Sequence, residues 1–93
     1  MTHKMVGMDL EYDNQKGLLT FTAKNRLKSG INVEIINPEC EFHLNISEII
    51  NSKSEKVDTA HGGAGRYSVP CTSDPGEFAV MCRPLYPQEV KGF

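Results

Sequence analysis

Apolar residues recur at every second position along most of this chain, and that period commits it to strands. Met8, Leu10 and Tyr12 alternate with Asp9 and Glu11, and Leu19, Phe21 and Ala23 resume the pattern after Asp13-Asn14-Gln15-Lys16-Gly17. Successive side chains of an extended chain face opposite ways, so each run presents one oily face. The linking segment carries turn residues and ends in a glycine able to take positive φ. Pairing across it sets Tyr12 opposite Leu19, Leu10 opposite Phe21 and Met8 opposite Ala23, with all of them on one face.

A second hairpin is better specified. Ile31, Val33 and Ile35 lead into Asn37-Pro38-Glu39-Cys40, a turn with proline at its second position, and Phe42, Leu44 and Ile46 follow. A turn centred there places Ile35 against Phe42, Val33 against Leu44 and Ile31 against Ile46. A third hairpin is predicted from Tyr67, Val69 and Cys71, the turn Ser73-Asp74-Pro75-Gly76, and Phe78, Val80 and Cys82. Pro70 has no N–H to donate, which puts its strand at an edge or a bulge.

The intervening stretch reads differently. Residues 47–53 predict a short helix, because Asn45 and Glu48 have capping-box spacing and Ile49 or Ile50 would cover an end of the sheet. Residues 51–65 are polar and glycine-rich and predict a long loop. Pro84 and Pro87 predict an extended tail over 84–93. The fold expected is therefore all-β and mainly antiparallel, one domain over 1–93. It is a small β-sandwich or partly open barrel of about six strands in three hairpins. The alternative is a single antiparallel sheet with the helix packed on its inner face.

Size and charge narrow the functions. A chain of 93 residues buries roughly 60–65% of the surface its unfolded form exposes, which leaves little room for an enclosed reaction cavity. Ten basic and twelve acidic residues are interspersed, for a net charge of −2. A nucleic-acid partner is therefore not expected, since duplex binders cluster basic charge on one face. No apolar run approaches the roughly 20 residues of a membrane helix, and the start Met1-Thr2-His3-Lys4-Met5-Val6-Gly7 has no signal-peptide core. The expectation is a soluble, cytoplasmic chain without a membrane partner.

Candidate chemistry is sparse. Cys40, His43, Cys71 and Cys82 could compose a Cys3His zinc site, but a regular strand turns residues 40 and 43 to opposite faces. The phase of the apolar runs points all three thiols into the core, where free cysteine acts as a small hydrophobe. A Cys71–Cys82 cross-strand disulfide is the alternative. The run His61-Gly62-Gly63-Ala64-Gly65 begins like the oxyanion-hole signature of some esterases, yet the chain lacks the Gly-x-Ser-x-Gly nucleophile turn. Arg66, next in the chain, could clamp an anion. A Cys–His dyad would need His43 or His61 to meet a thiol that the pattern buries. Pro84-Leu85-Tyr86-Pro87 is a P-x-x-P element able to dock in an aromatic groove.

These observations predict a chain that is not an enzyme and holds no metal and no cofactor. The function expected is a small protein-binding or regulatory module, meeting a protein partner through His61, Gly62, Gly63, Arg66 and Tyr86. The alternatives are a structural subunit of a homo-oligomeric assembly and a small anion- or zinc-binding domain.

Overall fold

A computed structural model describes residues 3–39, 41–63, 65–76 and 78–84. Its strands are β1 His3–Asp13, β2 Leu18–Ala23, β3 Leu27–Lys28, β4 Asn32–Ile36, β5 Glu41–Asn45, β6 Ile49–Ile50, β7 Lys56–Val57, β8 Thr59–Ala60, β9 Arg66–Pro70 and β10 Val80–Pro84. The all-β, antiparallel expectation is borne out. The strands of five residues or more are the six expected; the other four have two residues each. Eight strands form one antiparallel sheet in the order β5-β4-β10-β1-β2-β9-β6-β7, and β3 pairs with β8 apart from it. Inner-face residues of the large sheet join Leu27 and Ala60, from β3 and β8, in one buried cluster. No helix among the described residues covers that face; the β3–β8 pair contributes to the core instead.

Two hairpins form as the turn chemistry dictates. Asp13 Oδ1 accepts from the N–H groups of Gln15 and Lys16 at 2.9 and 3.2 Å, and Gly17 closes the turn at φ 66°. Tyr12 faces Leu19 as expected, but the register then slips: Glu11 faces Thr20, Met8 faces Thr22 and Gly7 faces Ala23. Asp9 and Leu10 form the bulge, with Asp9 at φ 55°. The predicted Leu10–Phe21 and Met8–Ala23 pairs are therefore replaced, because one extra residue reverses the facing of everything beyond it. The second hairpin keeps its expected register, Ile35 with Phe42 and Val33 with Leu44. The Ile46 N–H donates to the Ile31 carbonyl at 2.8 Å.

The third hairpin does not form. β9 pairs with β2 and β6, whereas β10 pairs with β1 and β4, so the whole first hairpin lies between them. The segment leaving Cys71 keeps its turn, with Asp74 Oδ1 accepting from the Gly76 N–H at 2.9 Å. It crosses the end of the sheet instead of reversing onto β9. Asn37 holds it there by donating from Nδ2 to the Pro75 carbonyl at 2.6 Å, and the Pro75 side chain is fully buried. Pro70 lies at the last position of β9, opposite Leu18, where the strand ends.

The expected helix over 47–53 is also replaced. Ile49 and Ile50 form β6, and Asn51 turns the chain back to β7. Its Oδ1 accepts from the N–H groups of Lys53 and Glu55, both at 2.9 Å. Asparagine offers those donors a partner that a helix would have to withhold, and two turns of helix have little stability with which to compete. The stretch 51–65 thus carries β7 and β8 within it rather than forming one loop. Of the expected tail over 84–93, Pro84 ends β10; the rest lies outside the described residues.

The phase of β10 is the main surprise. Ala79, Met81 and Arg83 turn inward; Val80 and Cys82 turn outward, half-buried, and Phe78 stands exposed. Arg83 is wholly buried, its Nε donating to the Arg26 carbonyl at 2.6 Å and its Nη1 to the Pro84 carbonyl at 2.9 Å. The guanidinium thereby satisfies backbone groups where β10 passes the connector from β2 to β3. Arg83→Ala would leave acceptors unpaired and a void beside the core. We expect it to lower the unfolding free energy by about 2–4 kcal/mol, read as a lower urea midpoint at unchanged slope. A loss below about 1 kcal/mol would mean that water replaces the guanidinium at no cost.

Candidate functional site

Cross-strand register brings four chemistry-bearing residues into one row on the outer face. His43 of β5 faces Glu34 of β4, Glu34 faces Cys82 of β10, and Cys82 faces Met5 of β1. Paired residues share a face, so the inverted phase of β10 delivers a thiol to the side of the sheet that carries the histidine. The order within the row decides what it can do. The carboxylate stands between thiol and imidazole, with His43 Nε2 4.0 Å from Glu34 Oε1. Burial first, and the Glu34 charge second, push the Cys82 thiol above its ordinary range. A nucleophilic cysteine needs the opposite shift, which a neighbouring cation supplies.

The two described thiols do not converge. Cys71 is buried in the core, its Sγ–H donating to the Ser73 carbonyl at 3.0 Å, and Cys82 is on the outer face. Both are free. Both expectations are thus corrected: the Cys71–Cys82 disulfide, which assumed the third hairpin, and the inward-facing Cys82, which followed from the phase it shares with Val80. Cys40 lies outside the described residues. Among those residues, no group of three His, Cys, Asp or Glu side chains is placed to hold a metal ion.

The loop at His61 is tied to the sheet. The Gly63 N–H donates to the Ala23 carbonyl at 3.0 Å, and the His61 N–H donates to Tyr67 Oη at 3.4 Å. Gly62 presses on the connector after β2 so closely that a Cβ there would lie 2.6 Å from the Lys24 carbonyl oxygen. A glycine is required at that contact because nothing larger fits. His61 itself is exposed. Arg66 is engaged elsewhere: Nη1 donates to Thr22 Oγ1 at 2.8 Å, and Nη2 to the Asp9 carbonyl at 2.9 Å and to Glu11 Oε1 at 3.1 Å. It therefore bridges the β1 bulge rather than standing beside His61 as an anion clamp. Tyr86 lies outside the described residues.

The outer face of β10 was missed by sequence reasoning, although its signal was present. Residues 78–83 are apolar in both phases except at Arg83. Taking Phe78, Val80 and Cys82 as the inward set selected the wrong phase, because Ala79 and Met81 are apolar too.

Comparison with known proteins supplies the context. The family model described as the peptidase family U32 C-terminal domain matches residues 1–83. A stretch of 49 residues is 35% identical to tRNA hydroxylation protein P of Haemophilus influenzae, covering 53% of this chain and 11% of that protein. The fold is similar to crystal structures of the C-terminal domain of a Geobacillus thermoleovorans protein assigned to the U32 peptidases. One aligns with a TM-score of 0.73 at 24% identity over 89% of this chain and 93% of that one. Its selenomethionine variant aligns with a TM-score of 0.78 at 22% identity over 86% and 99%. These findings overturn the expectation of a protein-binding or regulatory module, which rested on the lack of a reactive cluster. They also displace its oligomer-subunit and anion- or zinc-binding alternatives.

The row on the outer face makes a checkable statement about reactivity. Thiolate is the attacking species, so a raised thiol is slow near neutrality and speeds up only at higher pH. The rate of Cys82 alkylation, followed by peptide mass spectrometry, should rise with a midpoint above the roughly 8.5 of an ordinary thiol. Glu34→Gln removes the repelling charge and should move that midpoint down. A wild-type midpoint at or below the ordinary value would show that His43 activates the thiol after all.

Proposed function

Because the chain belongs to the family of peptidase U32 C-terminal domains, we propose that it is the non-catalytic end domain of a longer protein acting in tRNA hydroxylation. The observation that carries this reading is the family match over residues 1–83, joined to the likeness to a tRNA hydroxylation protein. The aligned stretch is 11% of that relative, which leaves ample polypeptide to carry the reaction. Cys82 beside Glu34, with Arg66 committed to the bulge, supports a domain that leaves catalysis to the rest of the protein. The balance of ten basic against twelve acidic residues supports leaving the main tRNA contact there too. Work on tRNA would place the protein in the cytosol. Among the described residues no helix is long and apolar enough to cross a membrane.

Hydroxylated nucleosides can be quantified by mass spectrometry in cells lacking the endogenous activity and supplied with the longer protein, with and without this domain. The longer protein is expected to restore hydroxylation, its truncated form several-fold less, and the 93-residue chain alone none. Hydroxylation by the chain alone, or full activity without it, would overturn the proposal.

A further inference from the structure

We propose that the outer face of β10, centred on Phe78, seats the preceding part of the same longer polypeptide. This rests on the reading of the chain as an end domain. Phe78 and Met5 are the exposed large apolar side chains among the described residues, at 83% and 40% of full exposure. Between them on the outer face lie Val80 and Cys82, half-buried, with Ile36 paired to Val80 and Met5 paired to Cys82. Grooves flank the Phe78 ring on both sides, one against Asn37 and Pro38, the other against Met8 and Leu10. Scattered apolar residues are normal on a surface, but a contiguous strip with a protruding aromatic marks contact.

The backbone supports the same conclusion. Phe78 is held at φ 61°, and Asp9, lining the same groove, at φ 55°. A bulky side chain adopts the left-handed region rarely and at a cost. Among the described residues nothing offsets that cost, because the ring so positioned is 83% exposed. Asparagine would suit the backbone better. A phenylalanine there is intelligible if the ring is buried by something outside the domain.

The place of chain entry identifies the occupant. A C-terminal domain is preceded by the bulk of its protein, and the relative's aligned stretch is 11% of its length. That bulk arrives at the start of β1, and Met5, near the start, lies at one end of the apolar strip. Tethering raises the local concentration of a surface that can reach the strip. Asp9, Glu34 and Glu39 lie on or beside the strip. The complementary surface is therefore a pocket for an aromatic ring rimmed by Lys or Arg.

Hydroxyl-radical footprinting suits this strip, since Met5, Phe78 and Cys82 are reactive side chains. All three should be labelled at least about tenfold more slowly in the longer protein than in the isolated chain. Phe78→Asn should restore rapid labelling of Met5 and Cys82 in the longer protein. In the isolated chain the same substitution should leave the melting temperature unchanged or raise it, which separates lost docking from lost folding. Equal labelling in both wild-type proteins would overturn the proposal. So would protection in the isolated chain that grows with concentration, because the occupant would then be a second copy. If the strip is protected while truncation leaves tRNA hydroxylation unchanged, the docking stands and only the functional reading falls.

Discussion

The domain depends on β10 lying between β1 and β4 with Met81 and Arg83 turned inward. That placement joins the two early hairpins, which share no other ladder among the described residues, into one sheet. It also carries a buried guanidinium to the point where the connector after β2 crosses the core. A buried charge is tolerated only when its donors are satisfied, and here backbone carbonyls of Arg26 and Pro84 accept from it. The joining of the hairpins and the composition of the outer face both follow from this one strand.

The inversion of β10 has consequences on both sides of the sheet. Inside, the core loses the expected contributions of Phe78, Val80 and Cys82 and gains those of Ala79 and Met81. Outside, the displaced apolar residues form a strip beside the bulge of β1. Arg66 secures that bulge from the far side by donating to the Asp9 carbonyl. The residues that read as a binding cluster, His61 to Arg66, are thus divided between two structural duties. The glycine loop seats a connector, and the arginine stabilises an irregular strand.

Family membership gives these features a setting, and the chemistry of the row His43–Glu34–Cys82 is consistent with it. Burial first and the neighbouring carboxylate second push the thiol above its ordinary range, which suits a surface contact better than a reaction. The strained Phe78 and the outward apolar strip are costs for a domain by itself. They become reasonable for one part of a larger polypeptide, where the same residues can be buried against the rest.

Local chemistry was sufficient for the second hairpin, where the proline turn and the apolar phase agree independently, and for the Asp13 turn of the first. It was sufficient too for the all-β class and for the six longer strands, since a period of two admits little else. It could not locate the Asp9–Leu10 bulge, because one inserted residue leaves the composition of a strand unchanged. The helix over 47–53 failed where a side-chain turn at Asn51 outcompeted a short helical segment. Partner strands and the facing of β10 were decided only in three dimensions. Both faces of that strand are apolar, and which one turns inward depends on whether carbonyls from a distant connector await the Arg83 guanidinium. Sequence spacing carries no record of such an encounter, because the groups that meet are 57 residues apart.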